Sequence, residues 1–199
     1  MDKITLFRQF LLFIHILFFA VAIAEILKED WRLLRAARMN RAAMIRTEAT
    51  VLWSLLGLWA SGLSLIYLDV GLNIDALLGK PKLVTKLIVV SVLTLNGLLL
   101  HALAFPMLLK QRKMPVESAA YTIAALGAVS TASWLYASFV GVSRLIAPAM
   151  TLHSFIGIYL LSLSVALAVA TLFLRHRLER LLQPSRKTIS VRKTGRHAV

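Results

Sequence analysis

Five apolar runs, each close to the length needed to cross a bilayer, constrain this chain more than any other feature. A spanning helix needs about 20 largely apolar residues at 1.5 Å rise each. Runs near that length cover approximately Leu6 to Leu27, Thr50 to Leu68, Leu83 to Leu109, Ser118 to Val140 and Ala149 to Leu174, bounded by charge, Pro or Gly. The pattern predicts an all-α fold, a polytopic bundle of five transmembrane helices. Composition points the same way, since 59% of the 199 residues are hydrophobic and the mean hydropathy is +0.77, beyond what a soluble domain carries. The first run follows Lys3 and Arg8 as a signal peptide would. Its apolar stretch from Leu11 to Ile26 is long, however, and no small-x-small cleavage site precedes a mature soluble domain, so it is expected to stay in the membrane.

Charge placement sets the orientation. Of the 23 Lys and Arg residues, 17 fall between the first and second runs, between the third and fourth, or after the fifth. The other side holds only Lys3, Arg8, Lys80, Lys82, Lys86 and Arg144. The positive-inside rule then predicts an amino terminus outside and a carboxyl terminus in the cytoplasm. The net charge of +14 is thereby accounted for by topology, and no nucleic-acid partner is expected. The absence of cysteine removes disulfides, thiolate metal sites, iron–sulfur clusters and covalent haem attachment.

The expected organisation is a bundle over 1–182 with a basic cytoplasmic loop at 28–48, followed by a disordered basic tail over 183–199. The loop contains no Gly or Pro and is rich in Arg, Ala and Leu, so it should extend the first helix into the headgroup region. There Trp31, Leu34 and Met39 would rest at the interface of the lipid bilayer while the arginines meet anionic headgroups, with docking of a partner as the alternative. No internal repeat or second domain is evident.

Polar groups are costly in hydrocarbon and face a bundle's interior, so they are where function is sought. His15 falls near the middle of the first helix, with His101 and His153 about one to two turns to either side in depth. At helical spacing, Lys86, Val90, Thr94, Gly97 and His101 form one stripe, with Asn96 off it and free to bond another helix. Gly97, one turn before His101, clears space for a planar ligand or a close helix crossing. Pro106 should kink the end of this span. The fifth helix repeats the theme with His153 and Gly157. The second and fourth carry Ser54, Gly57, Ser61 and Ser64, and Ala120, Ala124, Gly127 and Thr131, stripes that predict tight helix packing. Neutral imidazoles on facing helices can hold a b-type haem, His15 with His101 being the better-placed pair and His153 a weaker candidate. Hydrogen bonding between helices and proton or ion transfer are the alternatives. Lys86 can snorkel to the outer interface, and Glu25 and Asp69 fall near helix ends, leaving no carboxylate expected at mid-membrane.

His15 within FLLFIHILFFAVAIAE and the segment KLIVVSVLTLNGLLLH from Lys86 to His101 carry a resemblance. The chain is similar to a superfamily of small polytopic proteins that includes the copper-resistance D-type membrane proteins and the haem-binding membrane protoporphyrinogen oxidases. The resemblance implies haem binding as an inherited property. Asn96 and Gly97 stand where the oxidase pattern places a His, and no Met-rich or His-rich outer loop suits a copper importer. The expectation is a haem b protein in electron transfer or haem-linked redox chemistry, ligated by His15 and His101, with Lys86 meeting a propionate or a redox partner. The alternative is a non-enzymatic transport or assembly module whose histidines are structural. A homodimer is compatible with either.

Overall fold

The computed structural model describes residues 2–35, 41–108 and 114–183. Among these the chain is almost wholly helical, with no strand. The elements are α1 (Lys3–Arg35), α2 (Arg41–Val70), the short α3 (Ile74–Leu78), α4 (Pro81–Leu99), α5 (Phe105–Leu108), α6 (Val116–Val142), α7 (Leu152–Val169) and α8 (Arg175–Leu182). Five stretches are long and apolar enough to cross a membrane: Lys3–Arg35, Ala42–Val70, Pro81–Leu108, Val116–Val142 and Leu152–Leu182. They correspond one for one to the five apolar runs.

The basic segment over 28–48 is divided between two helices instead of forming one extension of the first. Residues up to Arg35 continue α1 and those from Arg41 open α2. Arg35 stacks its guanidinium over the ring of Trp31 at 3.9 Å, and Trp31 and Leu34 are both exposed. Met39 and the tail over 184–199 lie outside the described residues.

Two spans contain a wide π turn. Between α4 and α5, over Leu100–Ala104, the Phe105 amide reaches the Leu100 carbonyl. Pro106 has no N–H to offer the carbonyl one turn earlier, so the ladder shifts register at the position where a kink was expected. Between α7 and α8, over Ala170–Leu174, the Arg175 amide reaches Ala170. Here the Thr171 hydroxyl donates to the Leu167 and Ala168 carbonyls, at 2.8 and 3.1 Å, and competes with the backbone ladder.

α6 is the central helix, with 50% of its most apolar stretch buried against 6% for α1. Its buried face is built from Ala119, Ala120, Ala124, Ala128, Ala132 and Ser133, small enough to let neighbouring backbones approach. One apolar cluster, with Met107, Ile123 and Leu178, fills the end of the bundle near Arg35; a second, with Val89, Trp134 and Phe155, fills the end near Lys80. α1 and α2 pair as a hairpin, in which Gly57 faces the ring of Phe18 and Gly62 faces the imidazole of His15. Three other glycines of the small-residue stripes behave differently. Gly97, Gly127 and Gly157 have open space where a Cβ would stand, so no close helix crossing uses them.

Candidate functional site

The stripe expected on α4 is the face turned toward α2. Thr94 Oγ1 donates to the Val90 carbonyl at 2.8 Å and accepts from Trp59 Nε1 of α2 at 2.9 Å. His101, in the π turn, pairs through Nδ1 with Glu48 of α2. Asn96, off the stripe as read from sequence, is buried and donates from Nδ2 to the Leu126 carbonyl of α6 at 3.1 Å. Each bond satisfies a polar group that hydrocarbon would leave unpaired, and those of Trp59, His101 and Asn96 each join two helices.

His15 lies within the α1–α2 hairpin, its Nδ1 2.9 Å from Ser61 Oγ. Ser61 Oγ donates to the Gly57 carbonyl at 2.6 Å, so toward His15 it accepts. The ring proton therefore sits on Nδ1 and leaves Nε2 unprotonated, the tautomer of a histidine able to bind a metal through Nε2. A Cβ on Gly62 would meet the imidazole at 3.3 Å, so glycine there lets the ring lie against the helix.

The structure does not bring His15 and His101 together. Their partners on α2, Ser61 and Glu48, are 13 positions apart in one unbroken helix. At 1.5 Å per residue this is about 20 Å along the bundle. Two axial ligands on one iron, each at a bond length of about 2 Å, stand only about 4 Å apart. A single haem bridged by His15 and His101 is outside this geometry. The depth estimate did not hold because His101 lies in the last third of the Pro81–Leu108 span, with a side chain 73% exposed, while His15 lies in the first half of the 33-residue α1. His153 is exposed near the start of α7, and Lys86 is exposed in the second turn of α4, toward the opposite end from His101. Among the described residues no three His, Asp or Glu side chains form a group that could hold a metal ion.

Two polar sites were not singled out from sequence. Asp30 Oδ2 of α1 accepts from Thr131 Oγ1, at 2.6 Å, close to the midpoint of α6. A carboxylate thus reaches the middle of a spanning helix, where none was expected, because α1 runs on to Arg35 and carries Asp30 in to α6. Between α6 and α7, Ser133 Oγ shares a hydrogen bond with Tyr159 OH at 2.7 Å, Tyr136 OH donates to the Phe155 carbonyl at 2.5 Å, and the two tyrosine rings stack at 4.9 Å. The spacing of Ser133 and Tyr136, three apart on one helix face, was the available signal.

In comparisons with known proteins, no family model, curated protein or solved structure matches the chain. Fold and site together define a multi-pass, all-helical membrane protein whose spans are joined by polar side chains.

Proposed function

We propose that the protein is a non-enzymatic module of a bacterial inner membrane, serving transport or assembly, with its amino terminus outside and its basic tail in the cytoplasm. The observation that carries this reading is that both histidines bond to α2, at positions 13 residues apart, His15 from α1 and His101 from the far end of the α4 span. They act as ties between helices. The orientation is supported by the 17 of 23 basic residues assigned to one side.

Removing a tie should loosen the bundle. His15→Ala, which deletes a part-buried interhelix bond, is expected to lower stability by about 0.5–1.5 kcal/mol, and His101→Ala, which leaves Glu48 without this partner, by a comparable amount. Unfolding in mixed detergent checks this. A His15→Ala protein as stable as the original would count against the role as a tie.

A second reading rests on one observation, the bond from Ser61 that puts the ring proton of His15 on Nδ1 and leaves Nε2 unprotonated. The superfamily resemblance implies haem binding, and this reading puts a b-type haem on His15 alone among the histidines, the group supplying one-electron storage when bound. Lys86, close enough to act electrostatically on His15, would meet a propionate. Haem titration of the apoprotein, with His15→Ala as the comparison, separates the two readings.

A further inference from the structure

The end of the bundle opposite His101 carries more positive charge than the chain itself neutralises. Lys80, Lys82 and Lys86 occupy the start of α4, and they line an open cleft of about 490 Å³ with Asp69, Ala147, Pro148 and Met150. Asp69 is already engaged, by Lys80 Nζ at 2.6 Å and by Arg8 Nη2 at 3.0 Å. Lys82 Nζ reaches only the Gly141 carbonyl, at 3.4 Å, and among the described residues Lys86 has no hydrogen-bond or ion-pair partner. Arg144 acts electrostatically on both Lys82 and Lys86.

Like charges collected at the edge of a low-dielectric bundle repel one another more than they would in water. No acid in the first turn of α4 offsets them, and the positive end of that helix adds to the same field. The remaining wall of the cleft is apolar, with Leu83, Ala147, Pro148 and Met150. A cationic rim above an apolar wall matches an anionic head joined to a hydrocarbon tail.

We propose that this cleft binds a phosphate group, as presented by the headgroup of an anionic phospholipid, with Lys82 and Lys86 as its direct donors. Lys80 stays paired with Asp69 and closes the rim. Phosphate suits the site because its several acceptor oxygens can be shared by two ammonium groups, each acting as a point charge. The site is separate from His101 and is built without His15; it shares Lys86 with the haem reading, in which a propionate would compete for that side chain.

The test is calorimetric titration of the full chain in an uncharged detergent, with short-chain phosphatidylglycerol, short-chain phosphatidylcholine and inorganic phosphate as probes. Phosphatidylglycerol is expected to bind and phosphatidylcholine not. Lys82→Gln/Lys86→Gln should weaken phosphatidylglycerol at least about tenfold, while Lys28→Gln, at the other end of the bundle, should leave it unchanged. Should the double variant melt early, Lys86→Gln alone carries the test, with a loss of several-fold expected. Inorganic phosphate that binds by itself and displaces the lipid would identify free phosphate as the ligand; failure to displace it would identify the lipid headgroup. Equal affinity in the original and the lysine variants, or equal binding of the two lipids, overturns the proposal.

Discussion

Gly57→Val should separate α1 from α2. A Cβ at this position would stand 2.5 Å from Cε2 of Phe18 and 2.6 Å from both Cδ2 and Cζ, closer than real carbon contacts come. The ring meets the glycine broadside, so rotating its tip does not clear the clash, and Phe18 or the whole helix must move outward. Overpacking of this kind costs about 1–3 kcal/mol. The His15–Ser61 bond is one turn along the same interface, so the upper part of that range is expected. The substitution should also couple to its neighbour. Phe18→Ala opens the space the valine needs, and Phe18→Ala/Gly57→Val should be more stable than the sum of the single effects implies. Strictly additive losses, measured by unfolding in mixed detergent, would mean that the hairpin does not pack in this register.

The second large effect is expected at Phe155. It is 0% exposed and the largest fully buried side chain in the chain's described part. Lipid is as apolar as the core, so burial from water contributes little to helix association, and what truncation removes is packing. The cavity left by Phe155→Ala should still cost about 2–3 kcal/mol, since each Å³ left unfilled costs about 24 cal/mol. Phe13 is 57% exposed on α1, a helix buried over only 6% of its most apolar stretch. Phe13→Ala should therefore change stability by less than about 0.5 kcal/mol. Equal losses at the two positions would place α7 elsewhere than against α4 and α6.

Architecture was legible in the sequence because a bilayer demands length and apolarity from every span, and both can be counted along the chain. The five runs needed no knowledge of their neighbours to be found. Asn96 was legible for a similar reason, since an amide inside hydrocarbon must find a partner on another helix, and it found Leu126. The boundaries of the helices were harder. α1 continues to Arg35 because nothing in 28–35 breaks a helix, and that extension brings Asp30 to Thr131 and a carboxylate to the middle of α6.

Pairings were the least legible. His15 and His101 have the same chemistry and both sit in or near apolar runs, but depth follows from where each helix begins and how it is tilted, which local spacing does not encode. The small-residue stripes show the same gap. Gly57 and Gly97 read alike in sequence, yet Gly57 is covered by Phe18 and Gly97 faces open space, because only one of them meets a helix carrying a side chain at the matching height. The lysines at the start of α4 were read singly, as residues at a membrane interface. Their convergence on one cleft appears only when α4 and the segment around Pro148 are placed side by side.

The visible spectrum of the purified protein, oxidised and then dithionite-reduced after haem supplementation, tests the central claim most directly. With the two histidines acting as helix ties, the reduced-minus-oxidised difference is expected to be featureless while the protein remains folded. An α-band abolished by His15→Ala and by His101→Ala alike would contradict the account, because it would require both imidazoles on one iron across a separation of about 20 Å.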